Sequence, residues 1–562
     1  MANSSRTPAK TPRHRSSLIS EEEILIQTSH VRCSDGSSRS SSMRKHHSAS
    51  SLRPEGQTRV AQLTIPRRRC SESLPELDAV VLCLVQAMAR AGVPLSEAEF
   101  FESLILHQSG ARQSLPSTVQ LHQKFLPALA RHHESLLRHV LRHRDAFVFL
   151  HEATTDDGRA ALGISVLPLD RTGQPPLLLG VEFLEQLSHA LVARAVARVL
   201  SEGHVLFHRV LAVVTVGGAH MMQSFDVNGI LGAVLPAALH IPCLLHQLEL
   251  VMELWPDRLE KLVTMLRLLE DTFGRHAALR HRYELFLQKR ELKLSLSVLN
   301  SQTGPEAWLE KAVGAKEHLL LLAEFLPTDG EGGATVSKLQ TFLAEGNADL
   351  MAEATFVVEH AAGLLNMAQF LRRSSELLAH RIYGELDSLR IAFSYHLDTR
   401  LGPDTERCLS QCQPQLAEQF HNILSLGLTQ LEHLFNSHPA VPTLKAVRAL
   451  DPKQLGAVGW SRLEHEEGLP GLSEVPEIEW FRYQRLAEAA PVDVSLPQWW
   501  EAQTEQLPIL SPLARRYLWL PVCLPKSPFP PGDVLNLTSA KEGFTEGSAR
   551  LLYMLRHNRN LC

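Results

Sequence analysis

The chain has 562 residues, 44% of them hydrophobic, and a net charge of −5. That length leaves room for about three or four domains around a large core, and the apolar share fits a globular protein. No stretch of about 18 apolar residues is free of charge, and the opening MANSSRTPAK has no apolar centre. Neither a membrane span nor a signal peptide is therefore expected. Eight cysteines at scattered spacings then suggest reduced thiols of the nucleus or cytoplasm rather than a disulfide framework.

The charge is unevenly placed. Residues 1–75 hold 13 Lys/Arg against 6 Asp/Glu, and the rest 43 against 55, a net of −12. This first segment is rich in Ser, Arg and His, with SSRSSSMRKHHSASSLR at its centre. So few large apolar side chains do not offset the entropy of ordering a chain, so a disordered arm is expected. Its one apolar run, EEEILIQ, is a candidate docking segment. A basic arm on an acidic body points to an anionic partner such as DNA, beside the plainer reading of a solvated tail. Ser71 follows Arg67-Arg68-Arg69, and Ser73 sits in an R-x-x-x-S-x-P pattern. Both are candidate phosphorylation sites of the kind read by phosphoserine binders, and the triplet is a nuclear-import candidate.

Residues 76–143 read as a helical lead-in. ELDAVVLCLVQAMARAG is amphipathic and stopped by Gly92 and Pro94. SEAEFFESLILHQ makes a second helix, and residues 118–143 a third, with Leu126, Leu129, Leu137, Val140 and Leu141 at helical spacing. Residues 144–256 read as α/β. Strands are expected at 146–150, within AALGISVLPL, within LLLGVEFLEQ and at 210–214, with helices at 188–201 and 221–231. A short strand enters a helix over 240–254. This order suits a ribonuclease-H-like sheet. Residues 257–490 are almost entirely helical in pattern, and 491–562 form a last region.

The run VLAVVTVGGAHMMQSF from Val210, then PAALHIPCLLHQLELVMELW ending at Trp255, resembles the nucleic-acid-cutting core of hAT-type DNA transposases. It looks closest to the domesticated relatives grouped with the CGG triplet repeat-binding protein. LPQWWEAQTEQLPILSPLARRYLWLPV resembles the hAT C-terminal dimerisation region, and LLYMLRHNRN its closing helix and Asn. Leu115-Pro116-Ser117 and the stretch around Trp308 resemble further family motifs, so the likeness covers residues 78–562. It implies an α/β fold with a large all-α part: a ribonuclease-H-like mixed sheet interrupted by a helical insertion. It also implies that the C-terminal region completes the core with a short L-x-L-P-V strand. Within that region Trp499, Trp500, Leu510, Leu513, Leu518 and Leu520 would carry self-association.

In such enzymes two Asp and one Glu hold two metal ions, because Mg²⁺ prefers oxygen ligands. The first Asp ends the first strand, where this chain has His151, and the second ends a V-T-D run, where it has Val216. Imidazole is a poor Mg²⁺ ligand and valine is none. The chain is therefore expected to be no enzyme and to hold no metal or cofactor. Asp157 and Asp226 are the carboxylates left for a displaced site. Cys243-x-x-His246 has half-zinc spacing, but a structural zinc needs four ligands, and the family carries this motif as a packing element. Cys33 and Cys70 lack the close Cys pair of a zinc finger. Cys408 and Cys412 read as ordinary thiols. His139 and His143, among Arg131, Arg138, Arg142 and Arg144, read as a basic, solvent-facing helix side, with phosphate contact as the alternative.

The functional expectation is a catalytically inactive, transposase-derived nuclear protein that binds DNA or chromatin, self-associates and regulates transcription. The alternative is a protein scaffold without nucleic-acid contact, regulated by phosphorylation of its arm.

Overall fold

Three apolar runs form an antiparallel meander: β1 (Ala146–Thr154), β2 (Ala160–Pro168) and β3 (Leu177–Leu184). Thr155 closes the first hairpin. Its N–H and its hydroxyl both donate to the Arg159 carbonyl, each at 2.9 Å, and Gly158 takes the positive φ of 83° that the turn needs. The chain then crosses over through the helix His189–Glu202 and returns as β4 (Val210–Thr215), parallel to β1. β5 (Leu239–Pro242) adds on beside β4, also parallel, which gives the order β3-β2-β1-β4-β5. The structure is a computed structural model. It describes residues 76–562 except 104–113, 156, 227–228, 293–303, 327–332, 346, 374–375, 492, 530–544 and 562. The basic arm, its EEEILIQ segment, Ser71 and Ser73 lie outside the described residues.

Successive strand residues face opposite sides, and each side of this sheet has its own core. Val148, Leu150 and Val213 meet Val192 and Val196 of the crossover helix. The fit is close: a Cβ at Gly180 would stand 3.0 Å from Val199 Cγ1. Phe147, Phe149, Ala212 and Val214 face the other way, into a core that runs on through Trp255 to Trp500.

That second core belongs mostly to a helical body. The helix Asn347–Leu371 is apolar on most sides and lies against Pro305–Phe325, as a buried central helix should. Its Phe356 stacks on Trp255 at 5.2 Å and on Phe420 at 4.2 Å between ring centroids. The lead-in helix Glu76–Ala91 packs against the last helix, Glu546–His557, so the two ends of the described chain meet. Residues 72–562 form one compact unit, and the boundaries at 143, 256 and 490 fall inside it.

Several expectations need correction. β1 runs on to Thr154 instead of stopping at Leu150, because β2 continues to pair with it through Thr154↔Ala160. The helix expected at 221–231 is two short ones, Ala219–Phe225 and Ile230–Val234. The third lead-in helix holds a π-turn at Leu121–Phe125. Pro127 follows it and has no N–H for the regular ladder. Among the described residues 518–522 there is no L-x-L-P-V strand: the helix Leu510–Leu518 is followed by irregular chain.

Candidate functional site

The site singled out by the sequence lies where β1, β4 and β5 end. Phe149 pairs with Val214 across β1 and β4. Carried on by two residues, that register sets Val216, just past β4, alongside His151. His151 lies within β1, three residues before its end, and pairs with Gly163. Its side chain is buried, its Nε2 has no hydrogen-bond partner, and burial pushes its pKa down to about 3, with His557 adding repulsion. The imidazole is thus neutral at physiological pH.

This face of the sheet is roofed by the C-terminal segment. Gly163 and His151, as a directly opposed pair, project from the same face. A Cβ at Gly163 would stand 3.0 Å from Pro528 and 3.1 Å from Phe529, so that segment lies close against the strand. Beside it a cleft of about 590 Å³ opens between Phe149, residues 519–523 and Arg556, His557 and Arg559, with Lys526 and Glu376 at its walls. Glu376 is the only carboxylate among its lining residues. Two Mg²⁺ ions need several carboxylate oxygens, and this donor set does not fit them. Among the described residues, no three His, Cys, Asp or Glu side chains are grouped as a metal site. Asp157 instead bonds Thr155 and Arg159, which hold its carboxyl below the usual range.

The opposite face holds a pairing that the sequence does not disclose. Glu152 Oε1 lies 3.1 Å from His220 Nε2. Thr215 and His240 share a hydrogen bond of 3.0 Å, and the His240 ring stacks on Phe225 at 4.2 Å. Burial, and then His438, push His240 down to about 3. His438 itself donates from Nε2 to the Pro242 carbonyl at 2.8 Å and accepts the Ala440 N–H at Nδ1, tying the helical body to the end of β5. Partners this far apart in sequence leave no spacing signal.

Cys243 and His246 do not act together. Cys243 is buried at the start of the helix Leu244–Met252, and its sulfur accepts the Leu524 N–H at 3.3 Å. His246 is only half-buried and pairs with Glu249 at 3.5 Å, which raises its pKa. Cys243 is thus buried and His246 only partly so.

The six side chains assigned to self-association are spent on the chain's own interior. Trp499, Trp500, Leu510, Leu513, Leu518 and Leu520 are all buried within a single chain. Trp500 stacks on Tyr483 at 5.2 Å and donates its ring N–H to the Leu450 carbonyl. Such side chains offer no face to a second copy, so this assignment is corrected to a core role.

The basic helix side is partly as expected. Arg138, His139, Arg142 and His143 line an open bowl of about 960 Å³ with His204, Phe207 and His208, and no carboxylate lines it. A neighbouring hollow carries Arg144, Arg209, Arg515 and Arg516 with Asp145 and Asp170. Asp145 pairs with Arg209 and Arg516, and Asp170 with Arg144. The two hollows join through residues 142–144 and 207–209. Among the described residues, no helix is long and apolar enough to cross a membrane.

Comparison with family models finds no match to the chain, and neither does comparison with curated proteins.

Proposed function

We propose that the chain is a transposase-derived protein of the hAT type, built on a ribonuclease-H-like sheet and without nuclease activity, that works in the nucleus by binding DNA or chromatin. The sheet carries this reading: three antiparallel strands, a crossover helix, and two further strands parallel to β1 on its other side. Such a sheet is what the resemblance implies. His151 and Val216 stand at the two positions where it implies metal-binding Asp. A neutral imidazole and an alkyl side chain cannot hold Mg²⁺, and the roof of Pro528 and Phe529 over Gly163 supports loss of the reaction. Self-association, if retained, uses side chains other than the buried C-terminal six.

The bowl of Arg138, Arg142 and four histidines gives the acidic body a basic face of its own, in addition to the basic arm, although Arg138 pairs with Glu134 at 3.6 Å. Contacts to nucleic-acid phosphates release counterions, so affinity falls steeply as salt rises. The test is binding of double-stranded DNA across a salt series by the full chain, a form lacking residues 1–75, and Arg142→Glu. A salt-dependent affinity, lowered by the truncation and lowered again by Arg142→Glu, supports the reading. No binding by the full chain at low salt overturns it.

The second reading is a protein scaffold with a phosphorylation-regulated arm. It is favoured by the body charge of −12 and by Ile478 and Phe481, which stand exposed three residues apart on the helix Glu477–Glu488. Absence of DNA binding would move the assignment to this reading, in the cytoplasm or the nucleus.

A further inference from the structure

Two cysteines 280 residues apart in sequence meet behind the cleft. Cys243 sits between β5 and the helix Leu244–Met252, its N–H donating to the Thr215 carbonyl at 2.8 Å. The Leu244 N–H donates to the Val522 carbonyl at 3.0 Å, and the Leu524 N–H to the Cys243 sulfur at 3.3 Å. Cys523 is the residue between those two anchor points, so its backbone is held on both sides. The Cys243 sulfur, bonded to the Leu524 N–H, thus lies against the stretch of backbone that carries Cys523. Cys523 also lines the cleft, whereas Cys243 is buried behind it.

We propose that Cys243 and Cys523 form a reversible disulfide when the chain meets a peroxide, fastening the C-terminal segment to the start of the helix Leu244–Met252. A disulfide needs two cysteines whose backbones are already close, and the two flanking hydrogen bonds supply that condition, one of them ending on the Cys243 sulfur itself.

One of the two, as thiolate, attacks one oxygen of the peroxide. The O–O bond breaks, the departing oxygen takes up a proton as water, and that cysteine becomes a sulfenic acid, oxidised by two electrons. The other cysteine then gives up its proton and its sulfur attacks the sulfenic sulfur. The S–O bond breaks, and the hydroxide leaves with that proton as a second water. A thiol reductant of the nucleus or cytoplasm reverses the change. The other described cysteines lack this arrangement. Cys83 is exposed. Cys408 and Cys412 direct their thiols to Thr355 and to a backbone carbonyl, and burial raises Cys412 to about 11. The inference stands apart from the functional reading above.

The experiment is peptide mapping of the reduced full-length chain by non-reducing mass spectrometry after graded hydrogen peroxide. The expected result is a Cys243–Cys523 cross-linked peptide, formed before the other cysteines are modified and removed by dithiothreitol. Cross-links that join other cysteines first, or separate over-oxidation of Cys243 and Cys523, overturn the proposal.

Discussion

Around the sheet, three buried imidazoles stay neutral. In the helical body, three glutamates take on a different task. His133, His151 and His240 are pushed down to about 4, 3 and 3, with burial as the leading cause in each. In the body, Glu353 accepts the Leu262 N–H at 2.7 Å, Glu359 the N–H groups of Asp404 and Thr405, and Glu479 those of Ile509 and Leu510. Each glutamate lies on one helix and serves the first turn of another. The helices so served, Glu260–Arg275, Pro403–Leu409 and Leu510–Leu518, have Leu259, Gly402 and Ile509 at their N-caps and no side-chain cap of their own. The first N–H groups of a helix have no partner within it, and here a distant carboxylate supplies one. At Gly402 the positive φ of 104° disfavours a side chain, and a Cβ would stand 2.6 Å from Glu359 Oε2, so a substitution would push the capping carboxylate aside. Burial keeps the sheet's imidazoles neutral, as it does His360 of the body, lowered to about 4, and the body adds long-range capping.

Three substitutions probe that contrast. Trp500→Ala should cost most, about 3–5 kcal/mol, because it empties a large buried volume and orphans the Leu450 carbonyl. Chemical denaturation would check it, and a loss under 1 kcal/mol would mean that the C-terminal aromatic cluster is not part of the shared core. Glu479→Ala should cost about 1–3 kcal/mol, since two backbone N–H groups lose their acceptor. Hydrogen exchange at Ile509 and Leu510 should rise with it, and unchanged exchange would remove the capping argument. His151→Leu should change stability least at pH 7, by less than about 1.5 kcal/mol, as a swap of similar size that also removes an unpaired nitrogen. Its effect is on the pH profile. The folded pKa of His151, about 3, lies below its ordinary 6.5. Its stabilisation is present above pH 6.5 and is lost as pH falls towards 3. Unfolding measured across pH 3–7 should therefore fall less steeply in the variant, and parallel curves would contradict the buried, neutral imidazole.

What could be read from the sequence follows the same divide. The strands are continuous apolar runs, and their order was visible in outline because each is short and bounded by turn residues. The extra length of β1 was hidden, since Glu152–Thr154 looks like a polar turn and becomes strand only through its pairing with Ala160–Leu162. The helices of the body were visible by periodicity, but their starts were not, because the capping groups come from Glu353, Glu359 and Glu479 far along the chain. At the candidate site, His151, Val216 and Cys243 were each singled out by position. Their neighbours Gly163, His220 and Cys523 were not, because only the fold brings them there. The C-terminal leucines and tryptophans show the opposite error: an apolar pattern marks burial, and does not say whether the covering surface belongs to the same chain or to another.

The last helix also guards the outer rim of the sheet. Asn558, just beyond that helix, accepts the Leu178 N–H and donates to the Leu178 carbonyl, both at 2.8 Å, and its amide also meets His133 at 3.0 Å. β3 is an edge strand, and an open edge is a template for pairing with other chains. A single side-chain amide thus stands in for the missing neighbour at that point. Because Asn558 comes 380 residues after Leu178, β3 is synthesised long before its guard. Replacing Asn558 with Ala would then show first as clumping of newly made protein, before any fall in the stability of molecules already folded.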